Sequence, residues 1–172
     1  LLGGVGRSEI VDLAGNTGRG SDNAQLYNGV FGFVGNEWVY QFTILEERGV
    51  MLFPDSVTGS LYALLLDSPV TETAVVQGPN GTVERHQNAP NLVRFEQFDQ
   101  NSQQPAMWDG LAPGTYYLSI EPNGAAPVNF EFRLGVGEPP QGLSPDNPIP
   151  LGVLGDNTTT LAFDTFGSAT AD

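Results

Sequence analysis

Residues 110–136 read GLAPGTYYLSIEPNGAAPVNFEFRLGV. Tyr116, Leu118 and Ile120 fall on one face, and Thr115, Tyr117, Ser119 and Glu121 on the other. Further on, Val128, Phe130, Phe132, Leu134 and Val136 alternate with Asn129, Glu131 and Arg133. Successive side chains of an extended chain leave opposite faces of a sheet, so a period of two marks half-buried β-strands. Asn123 and Gly124 both tolerate positive φ, and they predict a turn that joins the strands as a hairpin.

The pattern continues outward in both directions. Residues 59–67, GSLYALLLD, are almost wholly apolar, too short for an ordinary helix, and flanked by Gly and Pro. They predict a central strand buried on both faces. In residues 37–44 the side chains of Trp38, Tyr40, Phe42 and Ile44 share one face. Shorter strands are expected at 9–14, 30–34, 50–53, 73–77 and 91–98. Loops or turns are expected at 15–28, at Pro54-Asp55, at Pro79-Asn80-Gly81 and at 100–104, with Met107 and Trp108 leading into the hairpin.

The chain has 172 residues, with 22 Gly and 13 Pro, and no amphipathic run long enough for a helix. Together with the strands, this predicts an all-β protein, an antiparallel β-sandwich of jelly-roll-like form. An apolar share of 40% is enough to build a core without metal or disulfide staples.

Twenty acidic residues oppose six basic ones, a net charge of −14. All six basic residues are Arg, and the chain has no Lys. Nucleic-acid binding needs a basic patch to displace phosphate counterions, so that partner class is excluded on composition. An anionic membrane surface is disfavoured for the same reason, and no run approaches the ~18 apolar residues that span a bilayer. Acidity keeps an exported protein soluble, and it also suits calcium binding or high salt. The absence of Cys fits a bacterial or archaeal extracellular or cell-surface protein better than a disulfide-rich eukaryotic one.

The composition changes after residue 136. Residues 137–150 hold Pro139, Pro140, Pro145, Pro148 and Pro150, which predicts an extended linker or arm. In residues 151–172, Leu161 and Phe163 alternate with Thr160 and Ala162, one more strand. The run Phe163-Asp164-Thr165 loosely echoes Gly15-Asn16-Thr17, as the first strand of a second module would. The expected organisation is a sandwich at 9–136, a linker at 137–150 and a strand extension at 151–172.

Four segments together carry a resemblance. They are Asn36-Glu37-Trp38-Val39-Tyr40-Gln41-Phe42, Gly59 through Asp67, Leu111-Ala112-Pro113-Gly114-Thr115-Tyr116-Tyr117-Leu118-Ser119-Ile120, and Asn129-Phe130-Glu131-Phe132-Arg133-Leu134. In order and spacing they resemble the bacterial pre-peptidase C-terminal domain family, β-sandwich modules of secreted proteins. Residues 83–104 are longer and more polar than that family's pattern. The resemblance implies a sandwich without catalysis and offers no catalytic residues to carry over. It implies calcium binding in some relatives, with no ligand set that maps onto these positions.

The residues bear this out only in part. His86 is the single histidine and sits in a polar stretch read as a turn, which leaves little material for a Ser-His-Asp triad or a catalytic zinc site. Glu37, Glu46, Glu47, Asp55, Glu96, Asp99 and Asp109 are scattered, and nothing pairs them for glycoside hydrolysis. Calcium takes several loop-borne oxygens. Asp22, Asp99, Asp109 and Asp146 are the candidate ligands, although ordinary turn chemistry accounts for the same residues. Trp38 and Tyr116 are expected in the core, and Trp108 and Tyr117 at the surface.

The sequence therefore predicts a non-catalytic extracellular building block. Its expected partners are other copies of itself, joined head to tail into a filament. In this scheme the strand Thr160, Leu161, Ala162, Phe163, Thr165 and Phe166 is added to a neighbour's open sheet edge. The alternatives are an accessory or targeting domain of a larger secreted peptidase or other exported enzyme, and a carbohydrate-binding module.

Overall fold

The computed structural model describes residues 4–5, 9–31, 34–77 and 81–137. Residues 138–150 of the proline-rich arm, the strand extension at 151–172 and the candidate ligand Asp146 lie outside the described residues.

Thirteen strands form the described fold: β1 (Gly4–Val5), β2 (Glu9–Asn16), β3 (Leu26–Tyr27), β4 (Val30–Phe31), β5 (Trp38–Ile44), β6 (Arg48–Val57), β7 (Ser60–Leu66), β8 (Glu72–Gln77), β9 (Val83–Ala89), β10 (Leu92–Asp99), β11 (Ala106–Leu111), β12 (Gly114–Pro122) and β13 (Asn129–Gly137). Sheet 1 runs β1-β5-β12-β7-β10, and sheet 2 runs β11-β6-β13-β2. Every pairing in these two sheets is antiparallel except the short β1–β5 contact. The main core lies between them. Phe42, Ile44, Leu61, Ala63, Leu65, Tyr116, Leu118 and Ile120 of sheet 1 meet Leu13, Val50, Leu52, Trp108, Phe130, Phe132 and Leu134 of sheet 2. This is the expected antiparallel β-sandwich.

Both strands of residues 110–136 are present, but they do not form a hairpin. β12 pairs with β5 and β7, whereas β13 pairs with β2 and β6. The intervening residues are an arch that carries the chain from one sheet to the other. A hairpin would leave two apolar faces side by side in one sheet, both still needing a cover. The arch sets Tyr116, Leu118 and Ile120 against Phe130, Phe132 and Leu134 and so closes the core with one connection. Gly124 takes φ +125°, as a turn glycine should, and Asn123 donates its N–H to the Ser60 carbonyl at 2.8 Å.

Pro54-Asp55 does not end its strand either. β6 continues to Val57, with Pro54 opposite Phe132 at a register shift. β11 reaches only Leu52 along the other side of β6, so Pro54 sits where no second partner asks for an N–H.

A third sheet, β4-β3-β9-β8, covers the outer face of sheet 1. A second apolar cluster lies beneath it: Ala24, Tyr27, Leu64, Leu66 and Ala89, flanked by Tyr62, Leu92 and Tyr117. β7 is accordingly buried on both faces, as its unbroken apolar run predicts. The polar stretch around His86 is not a turn but β9, paired with β8 over six residues from Glu72 to Gln77. Its alternating Glu84, His86 and Asn88 gave no apolar signal, because β9 presents little more than Ala89 to the interior.

Candidate functional site

Beneath the third sheet the structure gathers four polar side chains that are each almost free of solvent: Tyr27 of β3, Glu37 at the entrance to β5, and Ser119 and Glu121 of β12. Ser119 and Glu121 occupy the polar positions of the β12 alternation. In an uncovered sheet they would face water.

Glu37 is held by the loop that wraps it. Its backbone exchanges hydrogen bonds with Ser21, N–H to carbonyl at 2.9 Å in one direction and 3.3 Å in the other. Its carboxylate accepts the Asn23 N–H at 2.7 Å and the Ala24 N–H. The close approach depends on Gly20, since a Cβ there would lie 1.9 Å from the Glu37 carbonyl oxygen. The Tyr27 hydroxyl stands 3.5 Å from Oε1 of Glu37 and 3.4 Å from Oγ of Ser119.

Glu121 is fully buried, and the Tyr27 hydroxyl and the Gly35 N–H approach its carboxyl without either oxygen reaching full hydrogen-bond geometry. Burial, reinforced by the charge of Glu37, pushes its carboxyl up to about 8. Burial also raises Glu37, but the two backbone N–H groups oppose it by stabilising the ionised form. Tyr27 is raised by burial and by both glutamates. Of the two carboxyls, Glu121 is the one that burial holds protonated near neutral pH, whereas the backbone N–H groups on Glu37 favour its ionised form.

Ser119, Glu37 and Tyr27 also line a cavity of about 300 Å³. Its walls include Val39, Leu66, Pro69, Ala89 and Tyr117. A second depression, about 650 Å³, runs between β10 and β11 and is lined by Glu96, Gln97, Phe98, the turn at 101–105, Ala106 and Met107.

The residues singled out from sequence lie elsewhere. Asp22 is exposed and accepts the side-chain N–H of Gln25 at 2.7 Å. Asp99 shapes a turn, accepting the Asn101 N–H at 2.8 Å and the Ser102 hydroxyl at 3.3 Å. Asp109 is exposed on β11. Among the described residues no group of three or more His, Cys, Asp or Glu side chains is placed to hold a metal ion. Residues 160–166, the expected assembly strand, are outside the described residues. Trp108, expected at the surface, is buried in the main core, because β11 turns it inward beside β6. Tyr117 is half-buried under the third sheet rather than free. His86 lies 3.3 Å from Glu84 on β9.

Sequence reasoning weighed Glu37 and passed over Glu121. One signal was available. If β7 is buried on both faces, the outward residues of the strand beside it are covered too, and a glutamate among them is out of water.

No family model matches the chain, and no curated protein matches it. Among solved structures, the pre-peptidase C-terminal domain of a collagenase from Bacillus anthracis aligns with 79% of this chain and 94% of its own, at 14% identity and a TM-score of 0.36. That is a distant likeness. The fold described above rests on strand order and core, and no property of that domain is carried over to this chain. No helix among the described residues is long and apolar enough to cross a membrane.

Proposed function

We propose that this protein is a non-catalytic extracellular building block that associates with copies of itself by strand addition. The observation that carries this reading is the free edge of sheet 1. β10 pairs with β7 and with no other described strand, so its outer backbone edge has no strand partner, although side chains of Asn28 and Ser102 already bond Leu92 and Asp99 at its two ends. Such an edge is a template for another chain. Met107, 38% exposed, lines the groove between β10 and β11, and Phe95, 57% exposed, adds apolar surface on the same edge strand outside that groove. The donor in this proposal is the segment Thr160 to Phe166 of a neighbour, carried on the proline-rich arm. Leu161 and Phe163 would seat in the groove while the backbones pair. Each copy offers one donor and one acceptor, a head-to-tail contact that builds a filament.

The test compares the full chain with one ending at Gly137, by light scattering and electron microscopy. Polymers from the full chain, and monomers from the shortened chain and from full-length Phe95→Lys, are expected. Monomers from all three overturn the reading. Running each sample with calcium and with chelator tests whether Asp22, Asp99, Asp109 and Asp146 contribute a metal-dependent contact.

A second reading, an accessory domain of a larger secreted enzyme, is favoured by one feature. Val136 near the end of β13 pairs with Glu9 at the start of β2, so the last described strand ends beside the point where β2 begins. Adjacent ends let a module be carried within or beside another domain without distorting it.

A further inference from the structure

The cavity beneath the third sheet has a floor and walls of different character. Glu37 lines it, with its carboxylate held by the Asn23 and Ala24 N–H groups, donors that favour the ionised form, and none of the described ion pairs, which join Arg48 to Glu46, His86 to Glu84 and Arg133 to Asp55, brings a cationic side chain to it. A buried charge without a counter-ion is costly, and backbone N–H groups offset only part of that. Glu121 is buried beside Glu37 but is not part of the cavity lining. The walls are apolar and aromatic: Val39, Leu66, Pro69, Ala89 and Tyr117.

We propose that this cavity binds a primary alkylammonium group, with the ammonium against Glu37, Ser119 and the Tyr27 hydroxyl, and the alkyl chain along Leu66 and Tyr117. A hard metal ion suits the site poorly. It wants about six to eight oxygen ligands, whereas one carboxylate lines the cavity and apolar groups make up much of the rest. A neutral apolar ligand would leave the Glu37 charge unanswered. An ammonium supplies three donors to a floor made of acceptors. A slender alkyl chain fits within the 300 Å³. None of these 172 residues is a lysine, so no side chain among them supplies the ammonium. A lysine side chain of a partner protein and a free alkylamine share the required chemistry. The inference does not depend on assembly through β10.

The experiment titrates the full chain at neutral pH with n-butylammonium, N-acetyl-lysine methylamide, 1-butanol and calcium chloride, following amide and tyrosine signals by NMR. Saturable shifts at Tyr27, Tyr117 and Ser119 are expected with butylammonium, and butanol should bind at least tenfold more weakly. Equal binding of the lysine amide identifies a protein side chain as the source, and its failure identifies a free amine. Glu37→Gln should weaken butylammonium at least tenfold, whereas Glu121→Gln, which replaces a protonated carboxyl, should change it less than threefold. Thr71→Trp, at the exposed rim, should block entry without entering the core. Equal affinity for butanol, no saturable shift, unchanged binding by a folded Glu37→Gln, or displacement of the amine by calcium at the same residues each overturns the proposal.

Discussion

The hydroxyl of Tyr27, in the third sheet, stands 3.5 Å from Oε1 of Glu37, at the entrance to β5 of the sandwich. This contact ties the covering layer to the carboxylate it buries, and Ser119 on β12 shares the same hydroxyl at 3.4 Å. Removing the hydroxyl alone, in Tyr27→Phe, should lower stability by about 1 kcal/mol. Tyr27→Ala also empties space in the second apolar cluster and should lose about 3–5 kcal/mol. Denaturant unfolding of the two variants measures the difference.

Stability should fall as pH rises from weakly acidic to weakly alkaline. Glu121 releases its proton near 4.5 when unfolded and near 8 in the fold. Below 4.5 both states hold the proton, and the stability is fully present. Above that value folding requires a proton to be taken up, and each pH unit removes about 1.4 kcal/mol until the folded carboxyl itself ionises. Glu37, which faces it, is also raised and acts in the same direction, as does the nearby charge of Asp22. Tyr27 is pushed upward and does not titrate in this window. The melting temperature should therefore drop between pH 5 and pH 8, and Glu121→Gln should flatten most of that slope. An equal slope in the variant would assign the pH dependence to other groups.

Gly20→Ala should damage the site without touching any of its side chains. The new Cβ would lie 1.9 Å from the Glu37 carbonyl oxygen, a backbone atom that cannot swing aside. The Ser21–Glu37 bridge must open, which moves the Asn23 and Ala24 N–H groups off the carboxylate. The expected result is a loss of about 2 kcal/mol or more, with amide shifts in NMR spectra concentrated at residues 20–24 and 37.

In the main core, Phe132 packs with its ring centroid 5.1 Å from that of Phe98 and 5.6 Å from that of Phe130. It thereby joins sheet 2 to the edge strand of sheet 1. Phe132→Ala should lose about 3–5 kcal/mol. By contrast, the ion pair between Arg133 and Asp55 is 3.0 Å long but partly exposed, so Asp55→Ala should change stability by less than about 1 kcal/mol. Thermal unfolding of both variants separates core packing from surface charge.

The sequence by itself determined the strands and the sandwich. Leu61, Ala63 and Leu65 announce a buried strand. Tyr116, Leu118 and Ile120, like Phe130, Phe132 and Leu134, announce half-buried ones, because side-chain alternation is a local consequence of the extended backbone. Which strands pair is not local. Asn123 and Gly124 suit a turn whether the chain folds back within one sheet or crosses to the other, and the need to cover two apolar faces at once selected the arch. The buried site depended on the tertiary structure even more. Glu121 sits at a position that alternation assigns to water. It left water only because the third sheet packs over sheet 1, and the polar sequence of β9 gave no sign of that sheet. Tyr27, Glu37, Ser119 and Glu121 come from two strands and a bridge far apart in the chain, and only the covering layer makes them neighbours.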